Sequence, residues 1–389
     1  MVSTPSARHT LRRLTIIVAL QWTGATLGLP LLPLFLEHRG GTPTIVGFVM
    51  AAFFLAGVLT QFGLGHIADR FGRRRVLITS LIVYGLASMT FVLPVSAPWF
   101  ALSRAVQGSA AGAIEVASLS AVASLFPESE RGRAVSRILA AQLFGIAIGP
   151  VIGVVTSVRD LGLAFFVTGL VSLIAATQTL RTDLGDKAYD PSPLPRLQWT
   201  RQVIGALVAA GATGLTVGVY EACWSLLMNA HHASTLEIRL SWTAFALPWV
   251  LLSRVGGWLA DHANRRVMAL VGLVNGAGFL ALYPHIHNNV LLVALGSLES
   301  IGTSLSVPSI SSLLTQGAVD RELSRRQGLY ATANTASLAL AASVSGFLFS
   351  INPALPFTLI AIVSTTLASS TLWWWRHVRG SIRPRRLTT

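Results

Sequence analysis

Charge is what this sequence has least of. Among 389 residues there are 29 Lys or Arg and 15 Asp or Glu, 11% of the chain, where ordinary soluble domains carry roughly a quarter. With 52% hydrophobic residues and a mean hydropathy of +0.63, the composition excludes a soluble enzyme and a disordered chain. Cysteine is nearly missing too. Cys223 stands alone in an apolar run, so no intrachain bridge can form and a disulfide-stapled secreted domain is excluded. Absent as well are the Gly-x-x-x-x-Gly-Lys phosphate loop, the His-Glu-x-x-His zinc motif and the Gly-x-Ser-x-Gly nucleophile elbow, which argues against an ATP-driven pump and against hydrolases. No cofactor is expected.

Long apolar runs are what the chain does have. At about 20 residues per membrane crossing, twelve spans fit: Leu14 to Leu36, Ile45 to Ile67, Val76 to Leu93, Trp99 to Phe126, Ala134 to Val158, Leu163 to Leu180, then Val203 to Met228, Leu240 to Ala260, Val267 to Tyr283, Val290 to Gln316, Gln327 to Ser350 and Pro356 to Trp375. Leu14 to Leu36 is too long for the core of a signal peptide and reads as the first span. Between the two sets of six, residues 181–202 hold seven charges and three prolines and read as a linker. The expected fold is all-α: a six-helix bundle over 1–180, this cytoplasmic linker, and a second bundle over 203–389 with a basic tail.

The net charge of +14 would suggest nucleic acid in a soluble protein. Here the basic residues fall in short clusters between apolar runs, so the expected partner is the lipid bilayer and not nucleic acid. With both termini on the same side, 24 of the 29 Lys and Arg collect there; Arg39, Arg159 and Arg239 fall on the other side, and Arg104 and Arg254 within spans. This bias places both termini in the cytoplasm of a cell-membrane protein. Arg254, near an inner helix end, is expected to snorkel, and Trp373, Trp374 and Trp375 to form an interfacial belt. His231, His232, His285 and His287 read as loop residues, without the acidic or cysteine partners of a metal site.

The halves repeat each other. Gly65-His-Ile-Ala-Asp69-Arg70-Phe-Gly72-Arg73-Arg74 returns as Gly257-Trp-Leu-Ala-Asp261-His-Ala-Asn-Arg265-Arg266, with Gly65 and Gly257 separated by 192 residues, and Pro127 to Arg133 returns near Asp320 to Arg326. A parallel repeat of six helices about the membrane normal is a secondary-transporter architecture. Gly145, Gly149 and Gly153 recur every four residues of the fifth span, offering a smooth face to a neighbouring helix, and Pro150 permits a bend.

These residues carry a resemblance. The loop from Gly65 to Arg74 resembles the signature loop of the major facilitator superfamily, and Gly257 to Arg266 its degenerate second copy. Arg104-x-x-Gln107-Gly108 is similar to that family's fourth-helix motif. Gly145-x-x-x-Gly149-Pro150-x-x-Gly153 is similar to the fifth-helix motif of its drug:proton antiporters. The resemblance implies that spans 1, 4, 7 and 10 line a central cavity. It implies too that the two loops act as a cytoplasmic gate (Gly65, Asp69, Arg70, Gly72, Arg73, Arg74; Gly257, Asp261, Arg265, Arg266), with Asp69 set against the start of the eleventh helix near Gln327.

Charges inside spans are expensive and usually serve function. Arg104 and Glu115 lie in the fourth span, Glu221 in the seventh and Glu299 in the tenth. Arg104 and Glu115, about three turns apart, share a helix face. Arg104, Glu221 and Glu299 count to similar depth, so the expectation is one arginine opposite two carboxylates. A carboxyl in an apolar cavity prefers to be neutral and a nearby arginine favours its charged form, so a change in their separation would bind or release a proton. Glu221 and Glu299 are therefore the expected proton-coupling groups, with Arg104 modulating them and Glu115 in reserve. Gln21, Trp22, Gln107, Tyr220 and Trp224 are expected to contact substrate. The function expected is proton-coupled export of an amphipathic or drug-like small molecule by alternating access. The alternatives are translocation of a lipid or glycolipid, export of a sugar or metabolite, or a non-transporting sensor or scaffold. A monomer suffices, because each chain holds both halves of a pathway.

Overall fold

The computed structural model describes the backbone of residues 5–126, 128–182, 184, 198–317 and 320–378, and their side chains except at 5, 6, 61–71, 123, 124, 128, 129, 253, 254, 260, 261, 320, 321 and 324. All regular elements among the described residues are helical. Twelve are long: α1 (Pro5–Leu27), α2 (Pro43–Phe71), α3 (Arg73–Met89), α4 (Phe100–Leu125), α5 (Glu128–Ile152), α6 (Leu161–Leu180), α7 (Arg201–Ala230), α8 (Thr235–His262), α9 (Arg265–Leu282), α10 (Asn289–Thr315), α11 (Asp320–Ile351) and α12 (Leu355–Trp375).

Local chemistry sets their ends. The first span breaks where the sequence reading ran it on to Leu36: α1 stops at Leu27, and a 3₁₀ turn (Leu29–Leu31) and a short helix (Leu32–His38) follow. Pro30 and Pro33 have no N–H to close the next helical bonds. Gly72 separates α2 from α3 at φ 85°, a left-handed backbone that favours glycine, which gives that position of the signature loop a conformational reason. In the second half, Thr200, Asn264 and Asn288 cap α7, α9 and α10 through their side-chain oxygens. Ser234 and Glu237 form a reciprocal capping box on α8, worth about 1 kcal/mol.

Among the described residues ten helices are long and apolar enough to cross a membrane, and the chain is a multi-pass membrane protein. α4 holds Arg104 and Glu115, and α8 holds Glu237, Arg239, Arg254 and Asp261. Helices so polar need protein neighbours rather than lipid on part of their surface.

The packing of the first six helices recurs in the last six. α1 packs on α5, α2 on α4 and α3 on α6, while α7 packs on α11, α8 on α10 and α9 on α12. Between the sets, α2 meets α11 and α5 meets α8. The buried apolar residues then divide unevenly along the bundle. At the end away from the arginine-rich loops, called here the distal end, one core joins both halves: Leu31, Phe35, Val46 and Met50 share it with Val219, Cys223, Met228 and Ala342. Toward the opposite, basic end there are two separate cores. One holds Leu14, Leu77, Ile114 and Ile138 of the first half; the other holds Ala206, Ala269, Leu313 and Trp375 of the second.

Candidate translocation site

Small residues let the halves approach at the distal end. A Cβ on Gly47 of α2 would stand 2.6 Å from the Ala342 carbonyl oxygen and 2.9 Å from Gly346 Cα of α11, so these backbones touch directly. Beside them, Arg239 of α8 is 1% exposed. Its Nη1 donates to the Leu27 carbonyl at the end of α1 (2.7 Å), and its Nη2 to the Thr156 carbonyl (3.0 Å) and hydroxyl (2.7 Å) beyond α5. The Thr243 hydroxyl donates to the Ala147 carbonyl (3.0 Å) and the Ser225 hydroxyl to the Pro30 carbonyl (2.6 Å). These hydrogen bonds tie the two six-helix halves together at the distal end. Sequence reading had counted Arg239 only as a loop charge. The available signal was its exception to the charge bias: an arginine on the sparsely basic side must be held by something other than topology.

The glycine repeat of α5 lies along α1. A Cβ at Gly145 would sit 2.7 Å from Trp22 Cβ, and one at Gly149 2.6 Å from the Thr23 carbonyl oxygen. The Thr26 hydroxyl donates to the Gly145 carbonyl at 3.1 Å. Gly153 meets Leu27 and Arg239 themselves, so the repeat runs into the distal closure. Pro150 is buried inside α5, two residues before its end.

The intramembrane charges occupy three distinct settings. Arg104 is 3% exposed, with Nη1 donating to Gln107 Oε1 (3.0 Å), whose Nε2 donates to Ser88 Oγ (2.9 Å) on α3. The guanidinium lies over the Phe53 ring of α2, 4.2 Å from its centroid, while its Nε has no partner. Across the seam, Glu221 of α7 carries a buried Oε2 without a hydrogen-bond partner. Arg104 and Glu221 form no ion pair with each other.

Glu299 lies elsewhere, which corrects the expectation of one arginine opposite two carboxylates. It is 2% exposed, and its oxygens accept from the Tyr220 hydroxyl (2.9 Å) and the Tyr283 hydroxyl (2.6 Å). The carboxylate is thus enclosed by its own half, under an aromatic group in which Trp224 stands 4.9 Å from Tyr283 and 5.9 Å from Tyr220. The shared helix face of Arg104 and Glu115 does not bring these two together either. Arg104 turns to α2 and α3, whereas Glu115 lines a cleft with Trp22 of α1 and Gln142 of α5.

The residues expected to meet substrate are placed as follows. Gln21 accepts a hydrogen bond from Ser172 of α6 and is buried. Gln107, fully buried, stands behind Arg104. Trp224 donates its indole N–H to Ser241 (2.8 Å), and Tyr220 commits its hydroxyl to Glu299. Trp22 lines a cleft with Glu115 and Gln142.

At the basic end, Arg74 donates to the Leu180 carbonyl and Arg13 to the Arg181 carbonyl, tying α3 and α1 to the end of α6. Arg266 donates to the Trp375 and Arg376 carbonyls (3.1 and 3.2 Å), and Arg265 is buried. Gly257 has open space around it. The side chains of Asp69, Arg70 and Asp261, and the surroundings of Gly65, lie outside the described residues. Gln327 donates to Ser311 of α10 (3.1 Å). Arg326 was not singled out from the sequence. It is buried, pairs with Glu322 (3.1 Å) and donates to the Leu314 carbonyl (2.9 Å). Of the expected tryptophan belt, Trp373 is exposed between Arg201 and Arg376, while Trp375 is 1% exposed and belongs to the second-half core. The loop histidines are not all solvated: His231 stacks on His287 with centroids 4.8 Å apart.

Two repeated six-helix halves that share one core at the distal end and keep separate cores at the basic end are the architecture of a membrane transporter. Residues 14–207 and 203–388 each match the family model of the Major Facilitator Superfamily, and the chain belongs to that family. It is similar to "Multidrug resistance protein 2" of Bacillus subtilis, 24% identical over 374 residues that cover 90% of this chain and 91% of that protein. It is similar also to "Quinolone resistance protein NorA" of Staphylococcus aureus, 23% identical over 218 residues, 54% of this chain and 56% of that one. Its fold is shared with the crystal structure of a bacterial homolog of the human lysosomal transporter Spinster in an inward-facing and occupied conformation, at a TM-score of 0.78 and 13% identity over 98% of this chain and 100% of that one.

Proposed function

We propose that the protein exports amphipathic or drug-like molecules in exchange for protons, by alternating access, with Glu221 as the exchanging carboxyl. The observation that carries this reading is that Glu221 and Arg104, intramembrane charges of opposite halves, each keep a buried polar atom without a partner and form no ion pair. The balance between the charged and neutral forms of such a carboxyl depends on its distance from the guanidinium. The halves, residues 1–180 and 203–389 joined by the 181–202 linker, move against one another and change that distance. Glu299, held by Tyr220 and Tyr283, anchors the helix that presents Glu221. The similarity to multidrug and quinolone resistance proteins supports a drug-like substrate.

In this reading the basic end faces the cytoplasm of a cell membrane, as the arginine bias favours. The shared distal core and the separate basic cores then describe a chain closed to the outside. The loops around Asp69 and Asp261 form the cytoplasmic gate of the opposite state, and one chain is the functional unit.

Proteoliposomes with a pH-sensitive dye inside, challenged with a lipophilic cation such as tetraphenylphosphonium, test the exchange. The full-length protein is expected to move protons against substrate, and Glu221→Gln to abolish that flux. Proton flux undiminished in Glu221→Gln would refute the assignment.

A further inference from the structure

Acidic residues are missing from the two chain segments that meet where α7 begins and α12 ends. None occurs between Asp190 and Glu221, nor after Glu322, and Glu322 is taken by Arg326 (3.1 Å) and by the Gln198 N–H (3.1 Å). Arginine gathers there instead: Arg201 opens α7, Arg376 follows α12, and Arg265 and Arg266 open α9. The corner holds together without the guanidiniums of Arg201 and Arg376. The Trp375 indole N–H donates to the Gln202 carbonyl (3.4 Å), and a Cβ on Gly205 would stand 2.3 Å from that indole nitrogen, so α7 and α12 are fixed against each other at this level. Arg266 Nη1 donates to the Trp375 and Arg376 carbonyls, which already offsets the negative end of the α12 dipole. Arg201 and Arg376 are both exposed, and neither makes an ion pair with a described carboxylate. Their guanidiniums lie over one ring, that of Trp373, 5.7 and 5.3 Å from its centroid, and Trp373 is 50% exposed.

We propose that this corner binds the phosphate of an anionic phospholipid, with Arg201 and Arg376 donating to its oxygens beside Trp373. A guanidinium over an aromatic ring gains from the ring's negative face and keeps its in-plane N–H donors available. Those planar forks match phosphate oxygens, and two of them set on one ring by two fixed helices need little ordering when the phosphate arrives. The apolar surface next to the corner identifies the phosphate as a lipid's. On the helix that presents Trp373, the side chains of Leu359, Ile362, Val363 and Leu372 are exposed, and they offer an acyl chain a path from the headgroup into the span. A zwitterionic headgroup brings an ammonium that the two arginines repel, so selection is for net negative charge. The site needs only that the basic end lie at a membrane surface, and it does not depend on proton exchange at Glu221.

The test is native mass spectrometry of the full-length protein released from nanodiscs that hold equal amounts of phosphatidylglycerol and phosphatidylcholine with matched acyl chains. The wild-type chain is expected to retain phosphatidylglycerol over phosphatidylcholine by roughly tenfold, and Arg201→Gln with Arg376→Gln to bring the two lipids within about twofold. Arg12→Gln with Arg75→Gln removes the same charge from exposed positions at the same end of the bundle and should leave the preference intact. Trp373→Leu should narrow it, and Trp373→Phe should narrow it less. Melting in phosphatidylcholine alone separates loss of the site from loss of the fold: the Arg201 and Arg376 double variant is expected to melt with the wild type there. Where it melts lower, the two Trp373 variants carry the comparison. Glycerol 1-phosphate added in solution should leave the retained lipid in place, and its displacing that lipid would assign the corner to a soluble phosphate and overturn the proposal. Equal retention of the two lipids by the wild type, or a preference that falls equally in the two double variants, would also overturn it.

Discussion

The two ends of the bundle are built on opposite principles. At the distal end the halves share an apolar core, direct backbone contact at Gly47 and Gly346, and a buried arginine donating across the seam. At the basic end each half has its own core, and Arg74 and Arg326 donate to carbonyls of their own half, Leu180 and Leu314. Charge is therefore plentiful where it secures one half and its topology, and sparse where it joins the two. A single unpaired guanidinium among carbonyl oxygens makes a closure that can open, because those oxygens can turn to water when the halves separate. A buried carboxylate partner would have made opening far more costly.

The comparison can be broken most forcefully at the glycines. Gly47→Leu puts a side chain where α11 backbone stands 2.6–2.9 Å from a Cβ. It is expected to abolish distal closure, read as a lengthened and broadened distance between spin labels on the exposed Thr44 and Ser350. Arg239→Met comes next. It strands the Leu27 and Thr156 carbonyls in the same interface, at about 3 kcal/mol, or roughly a hundredfold shift toward the distal-open state in the same distance measurement. A smaller effect is expected from Ser234→Ala, which removes the α8 cap that holds Arg239 in register and costs about 1 kcal/mol of thermal stability.

The smallest effect is one of pH. Glu237, in the first turn of α8 ahead of its apolar span, accepts from the Ser234 backbone N–H and hydroxyl, which hold its carboxyl below the ordinary carboxylate value. A depressed folded value means that the stabilisation is complete above the unfolded value of 4.5 and is lost as pH falls through the folded one. Hydrogen exchange at the Ser234 amide should accelerate, relative to that at an uncapped helix start such as α12, only at acid pH. The relative acceleration should vanish in Glu237→Gln.

Much of this architecture was legible in the residues. Hydropathy and arginine placement gave twelve spans and a repeat because each depends on local composition, and the helices and their repeated packing follow it. The first span holds from Ala7 to His38, but its helix is interrupted at Pro30 and Pro33, where two missing N–H groups break the hydrogen-bond ladder. The site was legible in its membership and less so in its pairing. Depth along a helix can be counted, but rotation about its axis is fixed by packing. Arg104 therefore turns to Gln107 and Phe53 while Glu299, at similar depth, turns to Tyr220 and Tyr283. Arg239 escaped notice because burial of a loop-end arginine depends on carbonyls from α1 and beyond α5, more than 80 residues away.

The most direct test of the account is the number of protons released when substrate binds to the purified full-length chain in weak buffer. The exchange at Glu221 predicts release on addition of a lipophilic cation, unchanged in Glu115→Gln and lost in Glu221→Gln. Release of equal size in Glu221→Gln would contradict the pairing of that carboxyl with Arg104 as the coupling element.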